Sequence, residues 1–374
     1  MPGADRPLKV LHVLRSPVGG LFRHVIDLAQ AQAARGHQVG IVADLSTGGA
    51  RAQAAFAALE PELALGLTRV PMSRHIGASD LSAQRHVAER ARAAGVDVLH
   101  GHGAKGGAYA RLASTGAVRA YTPHGGSLHY NRGSPAGLFY LTLEQVLMAR
   151  TELFLFESSF GRDAFTAKIG TPRAPVHVVH NGVRTQEFAE VTPNGDATDI
   201  VFIGELRVLK GVDVLLDAIA LLAREGRTLR ATIIGDGPDA AAFRQQAERL
   251  ELSGTVRFLK PMPARAGLAL GRLMIAPSRA ESLPYIILET AAAAVPLITT
   301  NVGGIPEVFG PQSPRLIPPG DASALAQAIS SALADPVAMR NETLTLRARV
   351  QAEFSAEAMA DGVLSAYREA LATS

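Results

Sequence analysis

Residues 273–300 read LMIAPSRAESLPYIILETAAAAVPLITT, which predicts a strand, a polar loop, a helix and a second strand in direct succession. The apolar run 273–276 supplies the first strand. Pro284 suits the first turn of the helix, because its fixed φ fits there and its missing N–H would be unpaired anyway. Glu281 then precedes the helix, and Glu289 lies about one and a half turns into it. The loop follows the carboxyl end of the strand, where open α/β sheets bind ligands.

The two glutamates are eight positions apart and lie beside a predicted anion site, because the free N–H groups of a helix start attract phosphate. Carboxylates in this place favour a ligand with hydroxyl groups at both ends, as a sugar nucleotide has. The spacing alone is weak evidence, since such a pair also arises by chance in a loop and on a solvated helix face. The segment resembles the paired-glutamate signature of retaining glycosyltransferases of the GT-B fold, in particular family 4.

Length and composition describe an ordinary globular α/β protein. A chain of 374 residues exceeds the size at which one core stops growing, so two domains are expected. Hydrophobic residues make up 47% and charged residues 19%, which argues against a disordered chain. The sequence contains no cysteine, which excludes disulfides, thiolate metal sites and a cysteine nucleophile.

We expect a cytoplasmic protein, because no basic-then-apolar signal segment precedes the first strand and no stretch reaches the ~18 apolar residues of a spanning helix. The charge is uneven: residues 1–190 hold 20 Lys and Arg against 14 Asp and Glu, and the remainder holds 17 against 20. All eleven histidines lie between His12 and His180. The basic half favours an anionic acceptor or peripheral contact with the inner face of the membrane, whereas nucleic acid is disfavoured as a partner.

Apolar runs alternate with amphipathic segments along nearly the whole chain, which predicts parallel, doubly wound sheets. A polar stretch at 185–198 predicts a linker between an N-terminal domain at 1–184 and a C-terminal domain at 199–355, and a last helix spans about 356–374. The predicted strands are 8–14, 38–43, 68–71, 96–100, 119–122, 153–157 and 176–180 in the first domain, and 200–204, 230–234, 255–259, 273–276, 296–299 and 315–317 in the second.

The resemblance implies two Rossmann-like domains that face a central cleft, with the last helix crossing back onto the first domain. It further implies that the first domain binds the acceptor and that the second binds the nucleotide sugar. No metal cofactor is expected, because in GT-B enzymes cationic side chains and helix starts do the work that Mg²⁺ does in GT-A enzymes.

The segment 202–211, FIGELRVLKG, follows a strand and opens a helix. Family 4 enzymes place an arginine and a lysine here to neutralise the donor diphosphate, in a pattern like G-R-L-x-x-x-K-G. Lys210 matches the lysine, but Glu205 occupies the arginine position, so we assign that role to Arg207. Fixed cations stabilise the charge that develops on the departing phosphate oxygen. A solvated cation pair is the alternative, which is disfavoured because cations at a helix start are destabilising unless an anion binds.

Other segments of the second domain match family positions that contact the donor. The turn Ile233–Pro238 resembles a G-x-G loop near the nucleotide, although Gly-Asp-Gly-Pro also makes a good turn by itself. The stretch Phe258–Pro261 matches contacts to the base, and Glu307 matches a glutamate of structural role. The donor-binding residues implied by the resemblance in this domain are Gly235, Asp236, Gly237, Lys260, Ser282, Leu283 and Glu289.

Two loops of the first domain carry the rest of the resemblance. Gly19 and Gly20 match the family's glycine-rich loop, where backbone N–H groups approach the donor phosphate or the acceptor. We assign both glycines to donor binding and Arg23 to acceptor binding. This loop is not the G-x-G-x-x-G of dinucleotide enzymes, which counts against an oxidoreductase. His124, in YTPHGG, matches the family's histidine that faces the donor sugar, where it would orient and stabilise rather than act as a general base. A buried structural histidine is the alternative.

The segment 100–107, HGHGAKGG, ends another predicted strand, and alternation puts both imidazoles on one face. A zinc site would need a third ligand, and nothing in the sequence nominates one, so no metal is predicted. We instead expect His102 and Lys105 to bind the acceptor.

The matches run in family order from Gly19 to Glu307 and imply catalytic roles for His124, Arg207, Lys210 and Glu281. The predicted activity is retaining transfer from a UDP- or GDP-sugar to a saccharide or lipid-linked saccharide, in cell-surface polysaccharide or glycolipid synthesis. Two alternatives stay open: a sugar-nucleotide 2-epimerase, which shares the fold, and a two-lobed sugar-binding protein without turnover.

Overall fold

The computed structural model describes residues 6–130, 133–310, 313 and 315–373. The chain forms two units, residues 1–182 with 356–374 and residues 183–355. Each unit is built on a sheet whose strands pair in parallel, with seven strands in the first sheet and six in the second. The predicted fold class, two doubly wound α/β domains, is confirmed.

The first unit alternates strands and helices as its sequence pattern predicts. Its strands are β1 (Lys9–Leu14), β2 (Gln38–Asp44), β3 (Gly66–Val70), β4 (Val98–His102), β5 (Val118–Thr122), β6 (Leu153–Phe156) and β7 (Val176–Val178). Its helices before residue 183 are α1 (Gly19–Ala34), α2 (Gly49–Leu59), α3 (Ala78–Ala94), α4 (Gly103–Leu112), α5 (Pro135–Met148) and α6 (Ser159–Lys168). The strand order is β3-β2-β1-β4-β5-β6-β7.

The second unit repeats this arrangement. Its strands are β8 (Thr198–Ile203), β9 (Ala231–Ile234), β10 (Val256–Leu259), β11 (Gly271–Ala276), β12 (Leu297–Thr300) and β13 (Leu316–Ile317). Its helices are α7 (Val212–Arg224), α8 (Ala240–Arg249), α9 (Ala264–Leu268), α10 (Tyr285–Ala292), α11 (Ile305–Phe309), α12 (Ala322–Ala334) and α13 (Pro336–Glu353). The strand order is β10-β9-β8-β11-β12-β13.

The last helix, α14 (Ala356–Thr373), belongs to the first unit. Its buried residues Met359, Val363 and Tyr367 recur every four positions and form one apolar stripe. This stripe shares a core with Val118 and Leu153 of the first sheet. Among the helices within the described ranges, none is long and apolar enough to cross a bilayer.

The strand order reverses beside the first strand of each unit. In the first sheet β1 lies between β2 and β4, and in the second sheet β8 lies between β9 and β11. The chain crosses over in opposite directions from such a point, so the loops at the carboxyl ends separate and leave a crevice for ligands. The carboxyl ends of β1 and β4, and those of β8 and β11, are therefore the places at which to look for a site.

Most predicted strand boundaries differ from the observed ones by one or two residues, and two differences have a clear physical cause. Strand β4 begins at Val98, because Gly95 ends α3 with a φ of 58° and the Asp97 carboxylate accepts a hydrogen bond from the Lys9 amide at 2.8 Å. The strand therefore contains His102, which was predicted to follow it, as well as His100. Helix α10 begins one residue later than expected, since Pro284 has extended angles and is the N-cap.

Candidate functional site

Glycines bring three loops into contact at the carboxyl edge of the second sheet. Gly211 has a φ of 72°, and a Cβ built on it would lie 1.9 Å from the carbonyl oxygen of Pro277. Gly303 has a φ of 60°, and its Cβ would lie 1.9 Å from the carbonyl oxygen of Glu281. Both positions need glycine for its left-handed backbone and for the absence of a side chain. The loops after β8, β11 and β12 are therefore in backbone contact.

The turn after β9 packs against the loop after β8. A Cβ on Gly237 would lie 2.4 Å from the carbonyl oxygen of Leu206, and one on Gly235 would lie 1.9 Å from that of Gly204. The amide of Leu206 donates to the carbonyl oxygen of Asp236 at 2.9 Å. Gly235 and Gly237, which were predicted to bind the donor, thus allow the turn after β9 to pack closely against the loop after β8.

Lys210 and Glu281 form an ion pair on this edge. Nζ of Lys210 lies 2.7 Å from Oε1 of Glu281, and Oγ of Ser278 donates to the same oxygen at 2.7 Å. The Glu281 side chain is 10% exposed. Because an ammonium has three protons and a carboxylate has about four lone-pair sites, the pair retains capacity to donate to a phosphate and to accept from a hydroxyl.

The two arginines of these loops differ in what they bind. Arg207 is 53% exposed, and its Nη1 lies 3.8 Å from Oε2 of Glu205, a surface ion pair of little energy. Arg279 donates to both carboxylate oxygens of Asp213 at 2.7 and 2.6 Å, and to the carbonyl oxygen of Val208 at 2.6 Å. Arg279, in the loop after β11, therefore binds both the turn after β8 and the start of α7. The sequence pattern did not predict this role.

Four further predicted donor-binding residues belong to the second unit. The carbonyl oxygen of Ser282 accepts from the amide of Gly304 at 2.6 Å. The side chain of Leu283 is buried in the core, so only its backbone is available to a ligand. Lys260 is exposed directly after β10, and Glu289 is half-buried within α10.

His124 lies after β5 with a strained backbone. Its φ is 50°, in the left-handed region that residues other than glycine rarely adopt, and Gly125 follows with a φ of 74°. The imidazole is half-buried. Strain of this kind persists only where the surrounding structure holds it, and it is concentrated at functional sites. The strained backbone is a second reason, beside the sequence motif, to treat His124 as a candidate site residue.

A chain of three imidazoles runs from His124 into the first sheet. Nε2 of His124 lies 3.1 Å from Nδ1 of His102, whose Nε2 lies 2.9 Å from Nδ1 of His12. The other nitrogen of His12, Nε2, lies 2.8 Å from Oε1 of Gln32. Because an amide oxygen only accepts, we assign the His12 proton to Nε2, the His102 proton to Nε2 and the His124 proton to Nε2.

Two more histidines adjoin this chain. His24, on α1, has its Nδ1 2.9 Å from Oδ1 of Asn181. His100 is paired in register with His12 across β1 and β4, and its ring nitrogens lie 2.7 Å from the Tyr367 hydroxyl and 2.8 Å from Oγ1 of a strand threonine. The Tyr367 contact ties α14 to the centre of the first sheet.

Burial keeps these imidazoles neutral. Loss of hydration lowers the pKa of His12 to about 4 and the pKa of His24 and of His124 to about 3. It also lowers the pKa of His100 and of His102 well below the ordinary 6.5. Each ring therefore carries one proton near neutral pH and offers one nitrogen lone pair.

The start of α1 has free space around its first glycine. Gly19 has a φ of 65°, and no atom lies within 4 Å of a Cβ built on it. Gly20 follows within the first turn. Arg23, one turn along, has its Nε 3.2 Å from Oδ2 of Asp27.

The acceptor-binding role predicted for Lys105 does not fit its contacts. Its Nζ donates to the carbonyl oxygens of Ser73 and His75, both at 2.8 Å, and to Oδ1 of Asp80 at 2.7 Å. These three bonds use all three ammonium protons. Lys105 fastens α4 to the start of α3.

The glycines around Lys105 also have a packing role. A Cβ on Gly106 would lie 2.4 Å from the carbonyl oxygen of Val13, and one on Gly107 would lie 2.2 Å from the ring of Tyr121. Helix α4 therefore lies directly on the sheet at this point, as glycine alone permits.

Two family models match the chain. Glycosyltransferase Family 4 matches residues 18–187, and Glycosyl transferases group 1 matches residues 197–335. The chain belongs to the family 4 glycosyltransferases. It is an enzyme that transfers a glycosyl group, and the predicted membership of family 4 is confirmed.

Proteins of similar sequence or structure agree with the assignment of this chain to the glycosyltransferases. The glycogen synthase of Mycobacterium tuberculosis (strain CDC 1551 / Oshkosh) is 28% identical over 381 residues, which cover 94% of this chain and 91% of that protein. The crystal structure of a glycosyltransferase from Rickettsia africae matches with a TM-score of 0.81 at 20% identity, covering 99% of this chain and 100% of that one. HepE of Anabaena, in complex with UDP-glucose, matches with a TM-score of 0.78 at 20% identity, covering 98% and 100%.

The sequence analysis did not predict several residues that the structure places beside the candidate site residues of this glycosyltransferase. They include His12, His24, Gln32 and Asn181 around the imidazole chain. The sequence feature that could have indicated a histidine cluster is that every histidine lies within residues 12–180. Period-two alternation could align residues within β4, but the partner of each imidazole depends on how strands far apart in the sequence are paired.

Proposed function

We propose that this glycosyltransferase moves a sugar from a nucleoside diphosphate sugar to an acceptor hydroxyl with retention of the anomeric configuration. The observation that carries the proposal is the Lys210–Glu281 pair at the switch point of the second sheet. Anabaena HepE has a similar fold and binds UDP-glucose, which supports a nucleotide sugar as donor, and we propose a UDP- or GDP-sugar.

Lys210 would neutralise the departing diphosphate. Negative charge develops on the phosphate oxygen as the sugar–phosphate bond breaks, and a fixed, partly buried ammonium stabilises it without reorganising. The exposed guanidinium of Arg207 would add a second cation from the same turn, and the backbone of Gly235, Asp236 and Gly237 would adjoin the nucleotide. These groups supply the charge stabilisation for transfer, so the reaction itself would need no metal cofactor.

The acidic side chains would bind hydroxyl groups. Glu281 is held by Ser278 and Lys210, which leaves its carboxylate placed to accept from a hydroxyl of the transferred sugar. Glu289, on α10, would accept from the ribose. Ser282 would add a backbone contact, and Lys260 would lie beside the base.

His124 would orient the donor sugar and stabilise the transition state. Its neutral imidazole matches front-face substitution, in which the donor phosphate takes the proton of the acceptor hydroxyl and no general base is required. Gly19 and Gly20 would approach the donor phosphate at the start of α1. Arg23 and His102 would contact the acceptor.

We further propose that the enzyme works in the cytoplasm and binds an anionic membrane surface, where it would glycosylate a saccharide or lipid-linked saccharide. Helix α5 exposes the apolar side chains of Leu138, Phe139 and Val146, and the first half of the chain carries the excess of basic residues. Co-sedimentation with anionic vesicles at low salt should recover the enzyme, and Leu138→Ser with Phe139→Ser should release it. Absence from such vesicles, with full transfer to a soluble acceptor, would refute this part.

The experiment that tests the activity is incubation of the enzyme with a panel of UDP- and GDP-sugars, with and without saccharide acceptors. Nucleotide-dependent thermal stabilisation identifies the donor, and a new glycosidic product identifies transfer. A new sugar nucleotide from donor alone would instead indicate the epimerase, and binding without any turnover would indicate a sugar-binding protein. NMR of the product's anomeric proton decides retention against inversion.

A further inference from the structure

We propose that His24, His102 and His124 form a binding site for a divalent transition-metal ion such as Zn²⁺. The three residues come from α1, from β4 and from the loop after β5, and one ring nitrogen of each lies within 4.8 Å of the other two. Three imidazoles and a water molecule form a ligand set that zinc accepts, with Zn–N bonds of about 2.0–2.1 Å. Tetrahedral ligands at that bond length lie roughly 3.4 Å apart, so small ring movements complete the site.

His24 has a buried ring nitrogen that no described residue hydrogen-bonds. Its Nδ1 lies 2.9 Å from the amide oxygen of Asn181, which places the ring proton on Nδ1. Its Nε2 then carries the lone pair, is buried, and makes no hydrogen bond to any residue that the structure describes. A buried acceptor without a hydrogen bond lowers the stability of the fold unless it binds a donor or a cation.

His102 and His124 supply the other two lone pairs. His102 donates from Nε2 to His12, so its Nδ1 is an acceptor, and that nitrogen now takes the Nε2 proton of His124 at 3.1 Å. A metal ion between the rings replaces this hydrogen bond. The His124 proton moves through solvent from Nε2 to Nδ1, so each ring keeps one proton and none is released overall.

The surroundings match those of a metal-binding histidine. Such a ring usually donates its second N–H to a carbonyl or carboxylate, which fixes its tautomer. Asn181 does this for His24, and the His12–Gln32 pair does it for His102. The buried carboxylate of Glu157 lies close enough to His24 to favour positive charge there.

A second group of histidines is less suited to a metal ion. His12, His100 and His102 also bring ring nitrogens within 4.8 Å of one another. Both nitrogens of His100, however, are engaged with Tyr367 and Thr122, and both nitrogens of His12 are engaged as well. Binding there would break several hydrogen bonds, whereas the set with His24 breaks one.

Metal occupancy has a consequence that rests on the proposed function. The ion would hold Nε2 of His124 and keep this ring from the donor sugar. Because His124 is only half-buried, water would reach the fourth coordination position. Zn²⁺ would therefore inhibit transfer reversibly, and a chelator would restore it.

The test uses the full chain without an affinity tag and measures Zn²⁺ binding by isothermal titration, with Co²⁺ absorption as a second readout. We expect one ion per chain and visible bands of tetrahedral Co²⁺. Asn181→Ala should weaken binding about 10–100-fold, as loss of an outer-shell partner does, and His24→Phe should weaken it further. His86→Ala is the matched control, because it removes an exposed histidine of α3 and should leave binding unchanged.

Three results would overturn the site: no saturable binding by the unaltered chain, full affinity in His24→Phe, or an equal loss in His86→Ala. Far-UV circular dichroism checks that each variant folds. If His24→Phe does not fold, His124→Ala, at a half-exposed position, is tested in its place. Binding is measured without a donor, so it stands or falls independently of transfer. If Zn²⁺ binds but transfer is unchanged, the metal site stands and the role proposed for His124 in transfer is refuted.

Discussion

Nζ of Lys210 lies 2.7 Å from Oε1 of Glu281, so the turn after β8 and the loop after β11 are joined by a largely buried ion pair. The two residues are 71 positions apart in the sequence. Their pairing at the switch point of the second sheet places a cation and a carboxylate side by side where a phosphate-bearing sugar is proposed to bind.

Removal of either partner should impair catalysis without unfolding the protein. We expect Lys210→Ala and Glu281→Ala each to lower kcat/KM for transfer by about 100-fold or more, because a preorganised group that stabilises developing charge contributes this much. Glu248→Ala, an exposed change on α8, is the control and should retain activity. Near-normal rates in both test variants, with unchanged circular dichroism, would exclude the mechanism.

The loop contact at Gly211 should be sensitive to a single methyl group. Gly211→Ala would force a Cβ to within 1.9 Å of the Pro277 oxygen in addition to the left-handed backbone, whereas Gly226→Ala meets only the backbone cost, with φ 82° and nothing within 4 Å. We expect about 1 kcal/mol of destabilisation for Gly226→Ala and a clearly larger loss, with reduced donor binding, for Gly211→Ala. Urea unfolding compares the two, and equal losses would contradict the close approach.

The hydroxyl of Tyr367 should stabilise the attachment of α14. Tyr367→Phe removes the 2.7 Å hydrogen bond to Nδ1 of His100 and leaves that buried nitrogen without this partner. We expect a loss of about 1–3 kcal/mol in the free energy of unfolding. Tyr130→Phe, at an exposed ring, serves as the matched control and should change stability little. Indistinguishable unfolding curves for the two variants would contradict the prediction.

The buried imidazoles should make stability depend on pH below neutrality. Their folded pKa values, about 4 for His12 and about 3 for His24, lie below the unfolded value of about 6.5, so the unfolded chain binds more protons between these values. The stabilisation is complete above pH ~6.5 and is lost as the pH falls towards ~4, at about 1 kcal/mol per pH unit for each such histidine.

Urea unfolding between about pH 7.5 and 5 measures this slope. His12→Gln removes one titrating group and should reduce the slope by about 1 kcal/mol per pH unit, whereas His86→Gln at an exposed site should leave it unchanged. A pH-independent unfolding free energy across this range would show that these imidazoles are not held neutral.

The elements of this fold were readable from local pattern. Alternation of apolar runs with amphipathic segments predicted each strand of both sheets within a few residues. Errors such as the start of β4 arose where a side chain, here Asp97, binds the backbone of a neighbouring strand. A long-range bond of this kind has no local signature.

The candidate site was only partly readable for the same reason. Lys210, Glu281 and His124 were predicted as site residues because their segments follow predicted strands and resemble family 4 motifs, and the structure places each of them in a loop that follows a strand. The contacts of Lys105 were not predicted, since the acceptors that use its protons lie 25 to 32 positions away.

The sequence by itself determined the periodicities that make strands and helices, the order of the two units and the positions of the chemical groups that follow the strands. The tertiary structure alone decided which of these groups meet. His12 and His102 are 90 positions apart, and they touch because β1 pairs with β4 in a register set by packing of the whole sheet. Side-chain neighbours across strands depend on crossover connections and burial summed over many residues, whereas secondary structure depends on the few residues of one turn or one pleat.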